Sequence, residues 1–141
     1  MRQCDNPVVW GPHYWFFLHT IAYSYPTHPN ATTKRKYYDL IQNMPLFIPN
    51  EDIGNKFSRL LDKYPVSPYL DKRASFMRWV NFIHNKVNYA LSKEEISFAD
   101  SVREYEQLYV NVHHKTFLQE YLYLSMGVIS LLIFLVYLYY I

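Results

Sequence analysis

Apolar positions recur along this chain with the period of a helix, and prolines cut the pattern into segments. His13–Tyr25 is aromatic-rich and follows Gly11-Pro12, with Pro12 suited to the first helical turn and Pro26 ending the segment. After the loop PTHPN, with Asn30 or Thr32 as its cap, a second helix is predicted over Thr33–Met44, where Tyr37, Leu40, Ile41 and Met44 share a face. Pro45 closes it. In the third, Ile53, Phe57, Leu60, Leu61 and Tyr64 fall at i, i+4, i+7, i+8 and i+11. Asn50 is a good N-cap type there, Glu51 and Asp52 complement the positive end of the helix dipole, and Pro65 ends the segment. The fourth is predicted over Ala74–Ser92, with Phe76, Trp79, Val80, Ile83, Val87 and Leu91 on its core side, and a shorter fifth over Phe98–Val112. The expected fold is all-α, four helices in an antiparallel bundle plus a short fifth.

The pattern changes at Tyr121. From there to Ile141 the chain reads YLYLSMGVISLLIFLVYLYYI, without a charge or a proline. Such a run, at about 1.5 Å per helical residue, spans roughly 31 Å, the thickness of a bilayer's hydrocarbon core. Tyrosines stand at both ends, as at membrane interfaces, and no polar stripe is left to face water. At the other terminus MRQCDNPVV lacks the apolar core of a signal peptide. The organisation expected is an arm over 1–9, a bundle over 10–112, a juxtamembrane stretch over 113–120 and a transmembrane helix over 121–141. That is a single-pass, tail-anchored protein with membrane lipid as one partner. The mildly basic flank His113-His114-Lys115 agrees with a cytosolic bundle.

Composition narrows the chemistry. Half of the residues are hydrophobic, fifteen are tyrosine and three are glycine, which favours a helical core over a sheet. A formal charge of +2 leaves no nucleic-acid footprint, and Lys34-Arg35-Lys36 reads as a solvated helix face. Cys4 is the single cysteine, so an intrachain disulfide is excluded. No HExxH motif, cysteine pair or acidic cluster makes a metal site, and the adjacent His113 and His114 point to different helix faces. The serines lack a GxSxG setting and no glycine-rich loop could cradle phosphate. Asn30-Ala31-Thr32 is a glycosylation triplet that a cytosolic domain would leave unused.

One helix face is unusual. Asn81, His84, Asn85 and Asn88 lie at i, i+3, i+4 and i+7, where a solvated face would carry Lys and Glu. Asparagine is a poor helix former that offers a fixed donor–acceptor pair. Two readings stand: an interhelical hydrogen-bond network, or a ligand with ring nitrogens, carbonyls or ribose hydroxyls. His19, among Trp15, Phe16, Leu18 and Tyr23, could face the same space; a lone histidine in such surroundings is more often a satisfied core residue.

WGPHYWFFLHTIAYSYP, YPVSPYL and WVNFIHNKVNYALSK together resemble the Erv/ALR family of FAD-linked sulfhydryl oxidases, over roughly residues 10–105. The resemblance implies a four-helix bundle with a short fifth helix, FAD between the helices, and dimerisation through the first two. It places Trp10, Gly11, Trp15 and His19 in the first flavin-contacting motif. Trp79, His84, Asn85, Val87, Asn88, Leu91 and Lys93 fall in the second, and Phe57 is the aromatic after the redox motif. Lys56 stands where many members have histidine. The family's CxxC pair opens the third helix, where a helix N-terminus stabilises a thiolate. Here those positions are Asn50 and Ile53, and a second family disulfide would fall near Asp62 and Ala99.

The departure touches activity rather than fold. Asn50 and Ile53 cannot exchange disulfides, and one thiol at Cys4 cannot complete an intrachain cycle. The function expected is a membrane-anchored, non-catalytic structural or assembly component, with capsid or assembly proteins among its partners and a viral inner membrane and virion as one setting. The alternative is an FAD-binding protein working with cysteines that a partner supplies.

Overall fold

The computed structural model describes residues 6–140, and every regular element among them is helical. The order is α1 (Pro7–Tyr23), α2 (Ala31–Asn43), a 3-10 segment (Met44–Phe47), α3 (Glu51–Lys63), a 3-10 turn (Ser67–Tyr69), α4 (Arg73–Ala90) and α5 (Phe98–Tyr140). Cys4 lies outside the described residues, as do Ile141 and the side chains of His113, His114 and Lys115. Two compact units divide at Phe98: residues up to 98 form the bundle and residues from 99 belong to the long helix.

Local chemistry sets the helix ends. The first helix begins earlier than His13: Asn6 Oδ1 accepts the Val8 N–H at 3.0 Å and Pro7 takes a first-turn position. The arm expected over 1–9 is therefore already helical from Pro7. Pro12 sits inside α1 instead of at its start, where its ring removes one backbone donor. At the other end α1 stops at Tyr23, because Pro26 bars Tyr25 from helical geometry. Tyr25 instead becomes a buried anchor. Its hydroxyl donates to the Leu70 carbonyl at 2.8 Å, its own carbonyl accepts from Arg73 Nε, and its ring meets the edges of Tyr37 and Phe76. Of the two caps expected for α2, Asn30 is the one used, Oδ1 accepting the Thr33 N–H at 2.8 Å. Asn50 caps α3 as expected.

The bundle core runs from Leu18 and Ala22 on α1 through Ile41, Phe57 and Leu61 to Phe76, Trp79, Val80 and Ile83 on α4. Leu91, expected on the same side of α4, is 60% exposed. The cause is the end of the helix: Ser92 adopts φ 55°, the Lys93 N–H donates to the Asn88 carbonyl at 2.9 Å and the Ser92 N–H to Tyr89 at 3.1 Å. That Schellman-type closure turns Leu91 off the apolar face.

The helix beyond the bundle runs unbroken from Phe98 to Tyr140, so the fifth helix expected to end at Val112 continues into the apolar segment. Thr116–Tyr140 is long and apolar enough to cross a membrane. Exposed tyrosines stand at both ends of the apolar run, Tyr121 and Tyr123 at one and Tyr137, Tyr139 and Tyr140 at the other, as suits two interfaces.

Candidate functional site: an aromatic–histidine cluster on three helices

Trp15 and His19 are one helical turn apart on α1 and so share a face, which packs along α4. There the Trp15 ring lies flat on His84, centroids 4.0 Å apart and planes 10° from parallel. His19 Nε2 is 3.1 Å from His84 Nδ1, within hydrogen-bond distance, with the rings tilted by 52°. From α3, Phe57 meets Trp15 edge-on at 6.3 Å. Three helices thus bring together four of the residues expected at a flavin site. Burial lowers the pKa of His19. It also lowers that of His84, to about 4, with further depression from His19 and from the Lys93 ammonium. Both rings are therefore neutral at pH 7, one N–H facing one lone pair.

The rest of the expected set divides. Asn88, one turn beyond His84, is 8% exposed and its carboxamide makes no hydrogen bond among the described residues. Trp10 packs edge-on against Tyr14 at 5.2 Å, and its buried indole N–H finds no acceptor among the described residues. Those two groups lack a protein partner among the described residues, though only the Trp10 N–H is fully buried. Asn85 does not lack one: its Oδ1 accepts the Ile96 N–H at 3.0 Å while its Nδ2 donates to the Ile96 carbonyl at 2.8 Å, and Asn81 Nδ2 reaches the same oxygen at 3.4 Å. Half of the asparagine stripe is therefore a hydrogen-bond network. It ties α4 to the segment leading into α5, not to another helix. Trp79 is core, 2% exposed, stacked on Phe76, with its N–H on the Tyr64 carbonyl at 3.1 Å. Val87 packs partly buried against the core, Gly11 is half-buried, and Leu91 and Lys93 are exposed after α4 turns.

The start of α3 lies one turn from this cluster, since Ile53 precedes Phe57 by four residues. Asn50 Oδ1 accepts the Ile53 N–H at 3.0 Å, so the two positions of the family's dithiol are bonded to each other as an ordinary helix cap. Gly54 lets this turn approach the 3-10 segment: a Cβ there would stand 2.7 Å from the Pro45 carbonyl oxygen. Sequence reasoning missed Tyr14, whose hydroxyl donates to the Phe47 carbonyl at 2.6 Å and ties α1 to the segment entering α3. Its spacing of four from Trp10 was the available signal. No group of three histidine, cysteine or acidic side chains gathers as a metal site among the described residues.

As a ligand-binding surface, the donor set fits a flat heteroaromatic group in part. Trp15, His19, Phe57 and His84 offer π faces and ring nitrogens, and Asn88 and Trp10 offer unpaired polar groups. Asn85 and Trp79 have no polar atom to spare.

Comparison with known proteins agrees with this architecture. A probable FAD-linked sulfhydryl oxidase of Acanthamoeba polyphaga mimivirus is 28% identical over 103 residues, covering 72% of each chain. An FAD-linked sulfhydryl oxidase of African swine fever virus is 31% identical over 98 residues, covering 70% of this chain and 81% of the relative. The crystal structure of the yeast Erv1 core superposes with a TM-score of 0.61 at 27% identity, over 70% of this chain and 84% of that one. The Erv1 / Alr family model matches residues 12–109, a span that contains α2, α3, α4 and the whole aromatic–histidine cluster, and the chain belongs to that family.

Proposed function

We propose that this protein is a membrane-anchored member of the Erv1/Alr family that performs no thiol–disulfide exchange of its own and serves as a structural or assembly component. The observation that carries this reading is the start of α3. Asn50 and Ile53 stand in the dithiol positions and are joined by a capping hydrogen bond, and the chain's single cysteine is Cys4. Disulfide exchange needs a thiolate to attack and a second thiol to resolve the mixed disulfide. An amide and an alkyl group supply neither.

The anchor is the apolar stretch of α5, and the bundle is assigned to the cytosolic side of its membrane. Self-association through α1 and α2 is supported by the composition of α1, which has no charged residue and exposes Val9, Phe16 and Phe17. Because the similar proteins include viral ones, the setting proposed is a virion, with the bundle joining an inner membrane to a capsid or assembly protein.

A second reading is favoured by the unpaired Trp10 N–H on α1 and by the Asn88 carboxamide one turn from His84 of the neutral histidine pair. In it the bundle retains FAD, held by Trp10, Trp15, His19, Phe57, His84 and Asn88. A bound flavin supplies a two-electron acceptor, and the thiols feeding it belong to a partner protein. Trp15 and His84 shield the site from water by stacking, and neutral imidazoles add no charge to it.

Purified full-length protein in lipid nanodiscs tests both. Dithiothreitol-driven oxygen consumption should stay at the protein-free background; turnover by the unmodified chain refutes the non-catalytic reading. A flavin absorbance released on denaturation supports the second reading, and a colourless folded preparation removes it. If flavin is present, the double variant Asn50→Cys/Ile53→Cys should gain thiol-dependent oxygen consumption.

A further inference from the structure

The link between His19 and His84 joins α1 to α4 by one imidazole–imidazole contact of 3.1 Å. Such a contact survives only in some protonation states. With both rings neutral, an N–H meets a lone pair. Adding one proton still leaves a donor facing an acceptor. When both rings are protonated, two N–H groups confront each other with no acceptor between them. Like charges at that distance oppose each other strongly in a partly buried site.

The surroundings offer no relief to the doubly protonated pair. From α1, His19 itself faces His84, and Trp15 covers the His84 ring with an uncharged face. From α3 the group packed on Trp15 is Phe57, also uncharged. The segment after α4 contributes Lys93, a further positive charge. Neither ring has a carboxylate partner among the described residues.

We propose that the His19–His84 pair is an acid-released latch on the α1–α4 seam: its second proton breaks the link, lifts His84 from Trp15 and opens the aromatic cluster to solvent. Burial keeps both rings neutral at pH 7, with His84 charging only at about pH 4, so the seam is closed at neutral pH. The latch uses only the chain's own side chains and belongs to the flavin-free bundle, because a bound flavin would be held by these same residues.

The test is an acid titration of the full chain in detergent micelles, followed by imidazole nitrogen resonances after 15N-histidine labelling and by tryptophan emission. A Trp15→Phe variant identifies the share of emission that belongs to Trp15. In the wild type, His84 should remain neutral through pH 5, and the Trp15 emission should change in one step between pH 5 and about 4 while far-UV circular dichroism keeps its helical signal. His19→Gln places a carbonyl oxygen where a protonated His84 can donate, so the emission step should vanish or move by at least about one pH unit toward acid. Titration of His84 near 6.5 overturns the latch, as does loss of helix in the same step. An unchanged midpoint in His19→Gln overturns it as well. If His19→Gln does not fold, the wild-type resonances and circular dichroism decide alone.

Discussion

Replacing Gly54 with alanine should destabilise this bundle, against what helix propensity alone predicts. Gly54 is an interior residue of α3, and glycine there costs about 1 kcal/mol relative to alanine, so the propensity argument expects Gly54→Ala to stabilise. The tertiary contact reverses the sign. A Cβ at Gly54 would lie 2.7 Å from the Pro45 oxygen, whereas carbon–oxygen contacts are comfortable at about 3.3–3.6 Å. The obstacle is a backbone carbonyl that also accepts the Ile48 N–H at 3.3 Å, so no flexible side chain can move aside. The turn carrying Asn50 and Ile53 must retreat by roughly 0.6 Å, taken as the shortfall from that comfortable distance. Overpacking of this kind costs about 1–3 kcal/mol, which leaves a net loss of up to about 2 kcal/mol once the propensity gain of about 1 kcal/mol is subtracted. For a bundle of this size each kcal/mol lost lowers Tm by about 4–8 °C. Gly11→Ala is the comparison, because a Cβ there meets nothing within 4 Å apart from its chain neighbours and its own helix. It should change stability by no more than about 0.5 kcal/mol, because the propensity gain is opposed by Pro12, whose ring disfavours helical geometry at a preceding residue that carries a Cβ. Thermal and urea unfolding of the full chain in detergent, read by near-UV circular dichroism, compares the two variants. If Gly54→Ala stabilises the bundle, the close approach of α3 to the Pro45 carbonyl is wrong.

Three further outcomes are expected. Asn50→Ala removes the α3 cap and should cost about 1 kcal/mol in urea unfolding, while Asn50→Ser, another capping type, should recover most of it. Ser92→Gly relieves the left-handed backbone at the end of α4, and the same assay should show a gain of about 0.5–1 kcal/mol; a loss would mean that Ser92 does not hold φ 55° in solution. Acid should weaken the bundle through His84. Because its folded pKa of about 4 lies below the ordinary 6.5, the unfolded chain takes the proton first. The His84 contribution is then fully present above pH 6.5, falls as pH drops toward 4 and is flat below that. With the screening that partial exposure of the ring brings, the expected loss is no more than about 2 kcal/mol. Urea midpoints at pH 7 and pH 4.5, compared between wild type and His84→Gln, measure it.

Much of this protein was legible in its residue pattern. Helical periodicity and proline placement located α2, α3 and α4 within a few residues, because both act through the backbone of the segment that carries them, whereas α1 starts at Pro7 instead of His13 and the fifth helix runs on past Val112. Asn50 as the α3 cap and the apolar run after Tyr121 followed from rules equally local. The motifs around Trp15, His19 and His84 indicated the family, and the single cysteine excluded an intrachain disulfide by count alone. What sequence could not decide was which polar group meets which partner. Asn85 and Asn88 are the same residue type on the same helix face, yet the structure closes Asn85 on the Ile96 backbone and leaves Asn88 open. Leu91 continues the apolar repeat of α4 but leaves the core, since the left-handed turn at Ser92 ends the helix first. The stacking of Trp15 on His84 and the close approach at Gly54 join residues far apart in the chain. Periodicity records which face of a helix is apolar; partner, distance and register across an interface arise only when the helices pack, and there the tertiary structure alone decided.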